Sequence, residues 1–541
     1  MKNNWWKKSV VYQIYPQSFM DSNGDGIGDF NGIIRKLDYL QNLGVDVLWI
    51  CPMYASPLVD NGYDISDYYK VNPIFGTNED MEHLIEEAQK RKIKIILDLV
   101  VNHCSDQHEW FQKAMKDPNC EEASYFYFRT TENDKEPNNW RSNFGGSVWS
   151  RLPDDRWYYH TFAKEQPDLN WECKELRQKI YEMINWWLEK GIAGFRIDAI
   201  TFIKKDLSFA SRPTNDGERY PVEKLTDYKG IGTFLDEMKE QCFDKYNCMT
   251  VAEAPGGDDA AFERYAGKNG YFSMIFDFGW ENMEGENDKS SIHAVERWKK
   301  KIFSHVSHNS TIGWSAIFLE NHDQSRCLNK FLERENISFY SASALASIYF
   351  FLYGTPFIYQ GQEIGMTNVK WKNINDMDDI RAKRTYEEAV GQGKDPDEVL
   401  AYFSELGRDN ARTPMQWDDS ENGGFTGGKP WIKCNDNYRT INAQSQVNDP
   451  NSLYNYYKCL IQCYHDHADI VRQAVFRPMY EEYPGLIAYE REVNGKGLLV
   501  IVNFTNEKLK FQKIDQKCVL CNYHETESEW LQPYEARIYS K

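Results

Sequence analysis

Short apolar runs rich in β-branched and aromatic residues alternate with amphipathic helical stretches along most of this 541-residue chain. The eight predicted strands are residues 10–15, 45–50, 93–101, 194–199, 249–252, 274–278, 316–319 and 356–359. Eight strands that alternate with helices are typical of an α/β chain whose parallel strands close into a (β/α)8 barrel. A doubly wound open sheet is the alternative, but no glycine-rich phosphate-binding turn follows the first strand.

Two segments interrupt this alternation and predict additional domains. Residues 104–171 are rich in Asn, Asp, Gly and aromatic residues, and a structureless loop of that length is uncommon, so we expect a small inserted domain after strand three. After residue 466 the pattern becomes one of alternating β-strands, as at 485–489 and 497–502, which predicts a C-terminal antiparallel β-sandwich. The predicted units are therefore the barrel (1–103 and 172–466), the inserted domain (104–171) and the sandwich (467–541).

Composition excludes several classes of partner. The formal net charge of −19 argues against nucleic-acid binding, which needs a basic face. No run of about 18 apolar residues occurs, so we expect no membrane span. The twelve cysteines are scattered apart from Cys518 and Cys521, and ordinary reduced thiols without an apolar leader favour the cytoplasm. We expect a monomer without an organic cofactor, acting on a neutral or small substrate.

Acidic and histidine residues stand at the ends of four predicted strands. Residues 98–103 close strand three, Arg196 and Asp198 lie in strand four, Glu253 follows strand five and residues 321–323 follow strand seven. In a barrel the C-terminal strand ends face the active site. A single aspartate there is usually a cap or an ion-pair partner, but stability does not require such a concentration of buried like charge, which is costly. The convergence therefore predicts a catalytic site.

Neighbouring charge and burial suggest different roles for two of these carboxylates. Strand periodicity places Arg196 and Asp198 on one face, so we expect the guanidinium to lower the pKa of Asp198 and to keep it ionised, as a nucleophile requires. Glu253 is flanked by small apolar residues and lies near other anions. We expect a raised pKa at Glu253, which suits a general acid.

Together these segments resemble the four signature regions of the α-amylase superfamily. The matching stretches are DLVVNH at 98–103, GFRID at 194–198, Glu253, and NHD at 321–323. Three further stretches narrow the resemblance to its oligo-1,6-glucosidase, dextran glucosidase and α-glucosidase subfamily: NGYD at 61–64, QPDLNW at 166–171 and RDNARTPMQW at 408–417. The resemblance runs from about residue 5 to beyond residue 417 and implies a TIM barrel.

The resemblance also implies a retaining, exo-acting α-glucosidase that releases the non-reducing terminal glucose of short α-glucosides. Asp198 would be the nucleophile, Glu253 the acid/base and Asp323 the transition-state stabiliser. The two reacting carboxyl groups would then lie roughly 5–5.5 Å apart, rather than the roughly 6.5–9.5 Å of inverting enzymes.

A closed pocket for one glucose is implied as well. Asp64 and Arg408 would hold its hydroxyl groups at the blind end, with Arg412 as an alternative to Arg408. The other implied contacts with the sugar are Tyr63, His103, Phe144, Phe162, Arg196, Ala199 and His322. For Phe144 and Phe162, packing in the core is the competing interpretation.

The residue after the proposed nucleophile bears on linkage specificity. In relatives, Val at this position tends to accompany α-1,6 preference and Thr tends to accompany α-1,4 preference. Ala199 is neither, and its smaller side chain predicts broader tolerance with α-1,6 bonds still favoured. Hydrolysis of α-1,4 bonds or of sucrose remains the alternative.

An Asp/Gly-rich loop after the first strand predicts a structural Ca²⁺ site. Oxygen ligands recur at every second position, where the fourth is a backbone carbonyl: Asp21, Asn23, Asp25, Ile27 and Asp29. The twelfth position is Gly32 instead of Glu, so this is not an EF-hand. Related glucosidases carry a similar loop that binds a divalent cation, and a turn without metal is the alternative.

Other proteins on this scaffold remain as rival interpretations. Sucrose isomerases carry an Arg/Asp-rich loop after the stabilising Asp, which QSRCLNK at 324–330 does not resemble. Trehalose-6-phosphate hydrolases need extra basic residues in the pocket, and no cluster is evident. Non-catalytic heavy-chain subunits of amino-acid transporters need a membrane span.

Overall fold

The computed structural model describes residues 4–132, 135–215, 217–254, 259–280, 283, 289, 291–524 and 529–541. Within these residues eight parallel strands form a closed barrel. They are β1 (Val11–Ile14), β2 (Val47–Ile50), β3 (Lys94–Val100), β4 (Gly194–Asp198), β5 (Met249–Ala252), β6 (Met274–Phe276), β7 (Ser315–Ile317) and β8 (Gly354–Tyr359). Each strand pairs with its neighbours in sequence, and β8 pairs with β1 to close the ring. The predicted barrel is confirmed.

A helix follows each strand and covers the outside of the barrel. In the described part of the chain these eight are α1 (Phe30–Leu43), α2 (Asn78–Lys90), α3 (Lys174–Glu189), α4 (Gly232–Gln241), α5 (Asp259–Ala266), α6 (Ile292–Ile312), α7 (Phe339–Phe350) and α8 (Leu453–Asp466). Local sequence sets their ends. Thr77 and Asp80 form a reciprocal capping box at the start of α2, and Gly44 ends α1 with a φ of 99°.

Two layers of apolar side chains hold this assembly together. Inward-facing residues of the strands fill the barrel interior, including Val47, Ile96, Met274 and Phe276. Their neighbours of opposite orientation pack against the helices in a larger, separate core. The interior is therefore packed solid below the C-terminal strand ends, and a ligand can enter only above it.

The segment between β3 and α3 has its own secondary structure, as the sequence predicts. It contains a helix at Glu109–Lys116 and a three-stranded antiparallel sheet of Phe128–Arg129, Trp149–Arg151 and Trp157–Tyr159. Its aromatic core also includes Phe209 and Val222 from the connection between β4 and α4. The boundary of an inserted domain at 104–171 stays a prediction, since the core draws on both segments.

The C-terminal region is an antiparallel sheet packed on the barrel helices. Its described strands are β9 (Val475–Met479), β10 (Leu486–Val493), β11 (Lys496–Asn503), β12 (Lys517–Cys521) and β13 (Ala536–Ser540), in the order β9-β10-β11-β13-β12. A two-stranded sheet of Leu509–Lys510 and Trp530–Leu531 covers part of the other face. The predicted C-terminal antiparallel sheet is confirmed. No helix in the described residues is long and apolar enough to cross a membrane.

Candidate active site

One buried guanidinium joins three carboxylates at the C-terminal ends of β3, β4 and β5. Arg196 Nη1 donates to Asp98 Oδ1 at 2.8 Å and to Asp198 Oδ1 at 2.6 Å. Its Nη2 donates to Glu253 Oε2 at 2.6 Å. Because Asp198 and Glu253 bind neighbouring nitrogens of the same group, the sequence prediction that they converge is confirmed geometrically.

Burial dominates the electrostatics of this cluster. Burial raises the pKa of Glu253 to about 7, with Arg196 lowering it and Asp198 and Asp323 raising it. The expected raised pKa of Glu253 is therefore confirmed in direction. Burial also raises the pKa of Asp198, against the lowering by Arg196 and with a contribution from Asp98. The expectation that Arg196 leaves Asp198 with a lowered pKa is wrong, because desolvation and a second anion outweigh one cation.

Asp323, which follows β7, has the opposite environment. Its Oδ1 accepts from Arg408 Nη1 and Arg412 Nη2, each at 3.1 Å, and its Oδ2 lies 3.0 Å from His322 Nε2. Burial alone would raise the pKa of Asp323, but His322 and the two arginines lower it well below its usual range. This carboxylate is therefore ionised when the acid Glu253 is still protonated.

His322 is held beneath the site as a neutral imidazole. Gln13 Nε2 donates to its Nδ1 at 2.8 Å, which places the ring proton on Nε2, facing Asp323. The Tyr63 hydroxyl lies 2.6 Å from the same Nε2 and donates to Asp98 at 3.1 Å. The rings of Tyr63 and His322 are stacked with an interplanar angle of 6°. Burial lowers the pKa of His322, which agrees with this neutral form.

Arg408 pairs in the wall of the site with Asp60, a residue that sequence reasoning missed. Arg408 Nη2 donates to Asp60 Oδ1 at 3.0 Å and to Asp379 Oδ1 at 2.7 Å. Asp64, predicted for this place, is fully buried, and its carboxylate accepts from the backbone N–H groups of Val59 and Asp60. The turn around Asn61 directs Asp60 inward and Asp64 into the turn itself. The only available signal was the proximity of Asp60 to the NGYD motif.

A single cavity of about 740 Å³ gathers most of the predicted residues. Those that line it are Tyr63, His103, Phe144, Phe162, Asp198, Ala199, Glu253, Asp323 and Arg408. Four predicted residues are absent from the described lining of the cavity: Asp64, Arg196, His322 and the alternative Arg412. Arg196, His322 and Arg412 instead lie behind the wall and hold the lining carboxylates. The volume of the cavity is typical of ligand pockets, which span roughly 300–1,000 Å³.

The predicted calcium loop is closed by its own hydrogen bonds. Asp21 accepts the N–H groups of Asn23, Gly24 and Gly26 and the Thr426 hydroxyl. Asp29 accepts from Ser22 and Gly32. Within the described residues no three His, Cys, Asp or Glu side chains are grouped as a metal site. The oxygen chemistry of the loop suits Ca²⁺, but all three of its carboxylates, those of Asp21, Asp25 and Asp29, already accept backbone N–H groups, so the Ca²⁺ site stays a prediction.

Comparison with known proteins identifies the family of this barrel. The family described as the α-amylase catalytic domain matches residues 13–474. The chain belongs to the α-amylase family. This α-amylase family protein is therefore a glycoside hydrolase, and the resemblance of its signature regions is confirmed.

Relatives of this α-amylase family protein cover its whole length. It is 43% identical to an oligo-1,6-glucosidase of Halalkalibacterium halodurans, an alignment that covers 100% of this chain and 99% of the relative. It is 40% identical to a trehalose-6-phosphate hydrolase of Bacillus subtilis, over 99% and 98% of the two chains. Among solved structures, isomaltulose synthase from Protaminobacter rubrum has a TM-score of 0.93 at 36% identity, covering 99% of each chain.

Proposed function

We propose that this protein is a retaining exo-α-glucosidase that releases the non-reducing terminal glucose of short α-glucosides and favours α-1,6 linkages. The observation that carries the proposal is the arrangement of Asp198, Glu253 and Asp323 around one cavity whose wall also contains the Arg408–Asp60 pair. The linkage preference is supported by relatives named oligo-1,6-glucosidase or probable oligo-1,6-glucosidase, which are 43% identical to this chain.

The carboxylates divide the reaction into two balanced steps. In the first, Asp198 attacks the anomeric carbon while Glu253 transfers its proton to the departing glycosidic oxygen, so one C–O bond forms as the other breaks. In the second, Glu253 removes a proton from water, whose oxygen attacks the same carbon and releases Asp198. Two displacements retain the anomeric configuration.

Charge placement favours the transition state of each step. The raised pKa of Glu253 keeps a proton available near neutral pH. Asp323, ionised by its arginine and histidine neighbours, stabilises the positive charge that develops on the sugar ring. Arg196 binds both reacting carboxylates and holds them in register.

The Arg408–Asp60 pair supports binding of a terminal glucose. Arg408 and Asp60 together present donors and acceptors to the hydroxyl groups of a single glucose, while Phe144 and Phe162 provide apolar surface beside it. Charge-assisted hydrogen bonds of this kind are shorter and stronger than neutral ones.

The test is a substrate panel with product analysis. Isomaltose, maltose, sucrose and trehalose 6-phosphate are compared by kcat/KM, and NMR follows the anomer of glucose released first. We expect isomaltose to be preferred and α-glucose to appear first. A preference for maltose of about tenfold, or about 1.4 kcal/mol, would overturn the linkage proposal. Initial β-glucose would overturn retention, and a preference for the phosphorylated sugar would favour the function named for the B. subtilis relative.

Variants separate chemistry from folding in the same assay. Asp198→Asn removes the nucleophile, and we expect a loss of kcat of at least about a thousandfold with unchanged Tm. Asp515→Asn, at an exposed site in the C-terminal region, is the matched control and keeps full activity. Full activity in Asp198→Asn would contradict the assignment of the nucleophile.

We also propose that Asp21, Asn23, Asp25, Asp29 and the Ile27 carbonyl bind Ca²⁺ as a structural ion. The exposure of the residues Asn23 and Asp25 supports this, since Asp25 has a second carboxylate oxygen beyond the Oδ1 that accepts a backbone N–H, and hard oxygen ligands suit Ca²⁺. We expect Ca²⁺ to raise Tm after treatment with EDTA, and Asp25→Ala to abolish the increase. An equal Tm with and without Ca²⁺ would contradict the calcium site and favour the alternative, a turn that binds no metal.

We propose that the protein is a monomer and that it is located in the cytoplasm. The twelve cysteines form no disulfide, which suits a reducing compartment and supports the location. Light scattering after size exclusion is expected to give the mass of one 63.6 kDa chain, and cell fractionation is expected to place activity in the cytoplasmic fraction.

A further inference from the structure

The active-site cavity continues past the three carboxylates toward β6 and α6. Described residues that line this arm include Phe262, Ile275, Asp277, Phe278, His305 and Asn309. None of them belongs to a segment that carried the family resemblance. Neither Arg408 nor Asp60, which bind the terminal glucose in the proposed function, belongs to this arm, so the arm offers a separate surface for the sugar that is released.

Asp277 organises the polar groups of this arm. It follows β6, is 4% exposed, and lies with its Oδ1 2.7 Å from His305 Nε2. Asn309 Nδ2 donates to its Oδ2 at 3.3 Å, and the Gly279 N–H donates to Oδ1 at 3.1 Å. His305 and Asn309 are one turn apart on α6, so a single carboxylate orients both.

Gly279 makes this arrangement possible. A β-carbon at position 279 would lie 2.3 Å from the Cε1 and Nε2 atoms of His305. Any side chain there would push the imidazole away from Asp277. Glycine at 279 and aspartate at 277 therefore act together to admit His305 to the cavity wall, where about a third of its side chain is exposed (32%).

We infer that His305 and Asn309 bind the hydroxyl groups of the sugar that is released, and that Asp277 is the positioning residue for His305. An oriented imidazole and an amide supply directional hydrogen bonds to a polyol. Phe278, 39% exposed beside them, offers an apolar face for a sugar ring. The inference rests on the proposed glucosidase function and names His305, Asn309 and Asp277 as determinants of the leaving group.

Two substrates with the same glucose and different leaving groups test this inference. Isomaltose leaves a sugar, whereas α-glucosyl fluoride leaves an ion too small to reach the arm. In His305→Ala we expect the ratio of kcat/KM for isomaltose to that for the fluoride to fall about tenfold, through a higher KM for isomaltose. His305→Gln, which retains a hydrogen-bonding group, is expected to recover part of the ratio.

A neighbouring pair provides the matched control. His308, three residues further along α6, contacts Asp259 on α5 and does not occur among the described lining residues. His308→Ala removes a similar Asp–His contact, and we expect its ratio to equal that of the native protein. Gly279→Ala displaces His305 without altering it, and we expect the same loss as in His305→Ala. Asn309→Ala provides a second independent variant should His305→Ala not fold.

The outcomes distinguish this inference from the proposed function. An unchanged ratio in folded His305→Ala, Gly279→Ala or Asn309→Ala would overturn the inference while the glucosidase assignment stands. Equal losses of kcat/KM on isomaltose and on the fluoride would also overturn the inference, since they indicate a structural effect. A native protein that hydrolyses neither substrate would instead overturn the proposed function.

Discussion

Arg196 illustrates how one residue sets the protonation of a whole site. Three carboxylates, Asp98, Asp198 and Glu253, bind this single cation within a buried volume. Full ionisation of all three would leave uncompensated negative charge in a poorly solvated region, which is costly. The cluster therefore retains a proton near neutral pH. Glu253 is the most exposed of the three and can exchange that proton with substrate and water.

The protonation of Glu253 predicts the alkaline limit of activity. The acid form donates the proton in the first step, and with a pKa raised to about 7 its population falls as pH rises through that value. We expect kcat/KM for isomaltose to decline above about pH 7. A profile measured with the native protein tests this, and a rate that stays flat into the alkaline range would contradict it.

Ala199 lies next to the nucleophile in a conformation that disfavours branched side chains. Its φ of 43° is left-handed, where β-branched residues are strained. We expect Ala199→Val to lower the free energy of unfolding by about 1 kcal/mol and to raise the preference for isomaltose over maltose. Denaturant unfolding and the two kcat/KM values measure both effects. Ala199→Gly, free of this strain, is the control, and a Val variant as stable as the native protein would refute the strain argument.

The strand β4 carries Arg196 and Asp198, and its first residue fixes where it lies in the sheet. Gly194 has a φ of 146°, and a β-carbon there would lie 1.8 Å from the carbonyl oxygen of Met249 on β5. The close backbone approach sets the register between β4 and β5. That register in turn brings Asp198 and Glu253 to the same guanidinium.

A β-carbon at position 194 should therefore disturb both stability and catalysis. We expect Gly194→Ala to lower the free energy of unfolding by at least about 2 kcal/mol and to reduce kcat, because β4 must shift away from β5. Gly391→Ala is the control, since a β-carbon there meets nothing within 4 Å. Thermal unfolding compares the two. Equal Tm values for both variants would show that β4 tolerates the side chain.

The C-terminal sheet completes the core of the whole molecule. Helix α7 is buried on nearly all sides because the barrel covers one face and the sheet the other. Arg491 on β10 crosses this junction and donates to the backbone carbonyls of Phe351 and Leu352 at 2.9 and 2.8 Å. Burial lowers the pKa of Arg491 to about 10. Its partners are carbonyl oxygens, so it secures the end of α7 by hydrogen bonds.

Removing these hydrogen bonds should weaken the junction between barrel and sheet. We expect Arg491→Met to lower the free energy of unfolding by about 3 kcal/mol, because several buried carbonyls lose their donors. The control is Arg477→Met, at an exposed arginine on β9 that contacts Glu490. This variant should change the free energy of unfolding by less than about 1 kcal/mol. Chemical denaturation measures both. A loss at Arg491 no larger than that at Arg477 would contradict the proposed role.

Local pattern in the chain was sufficient for the barrel and for the convergence of acidic residues at its strand ends, whereas the family resemblance singled out three of them. Hydrophobic periodicity identified strands such as β3 and β4, and the rule that strand ends share one face of a barrel brought Asp198, Glu253 and Asp323 together. These predictions succeeded because they depend on the order of residues along single elements and on a topology with few alternatives.

Contacts between distant segments decided the rest. Asp60 rather than Asp64 faces Arg408 because of how a turn folds against residues more than 300 positions away, and the raised pKa of Asp198 depends on burial that no motif records. The pair of Asp277 and His305 requires a strand end, a glycine and a helix face to meet. Desolvation and through-space charge act between neighbours in space, so a one-dimensional pattern cannot specify them.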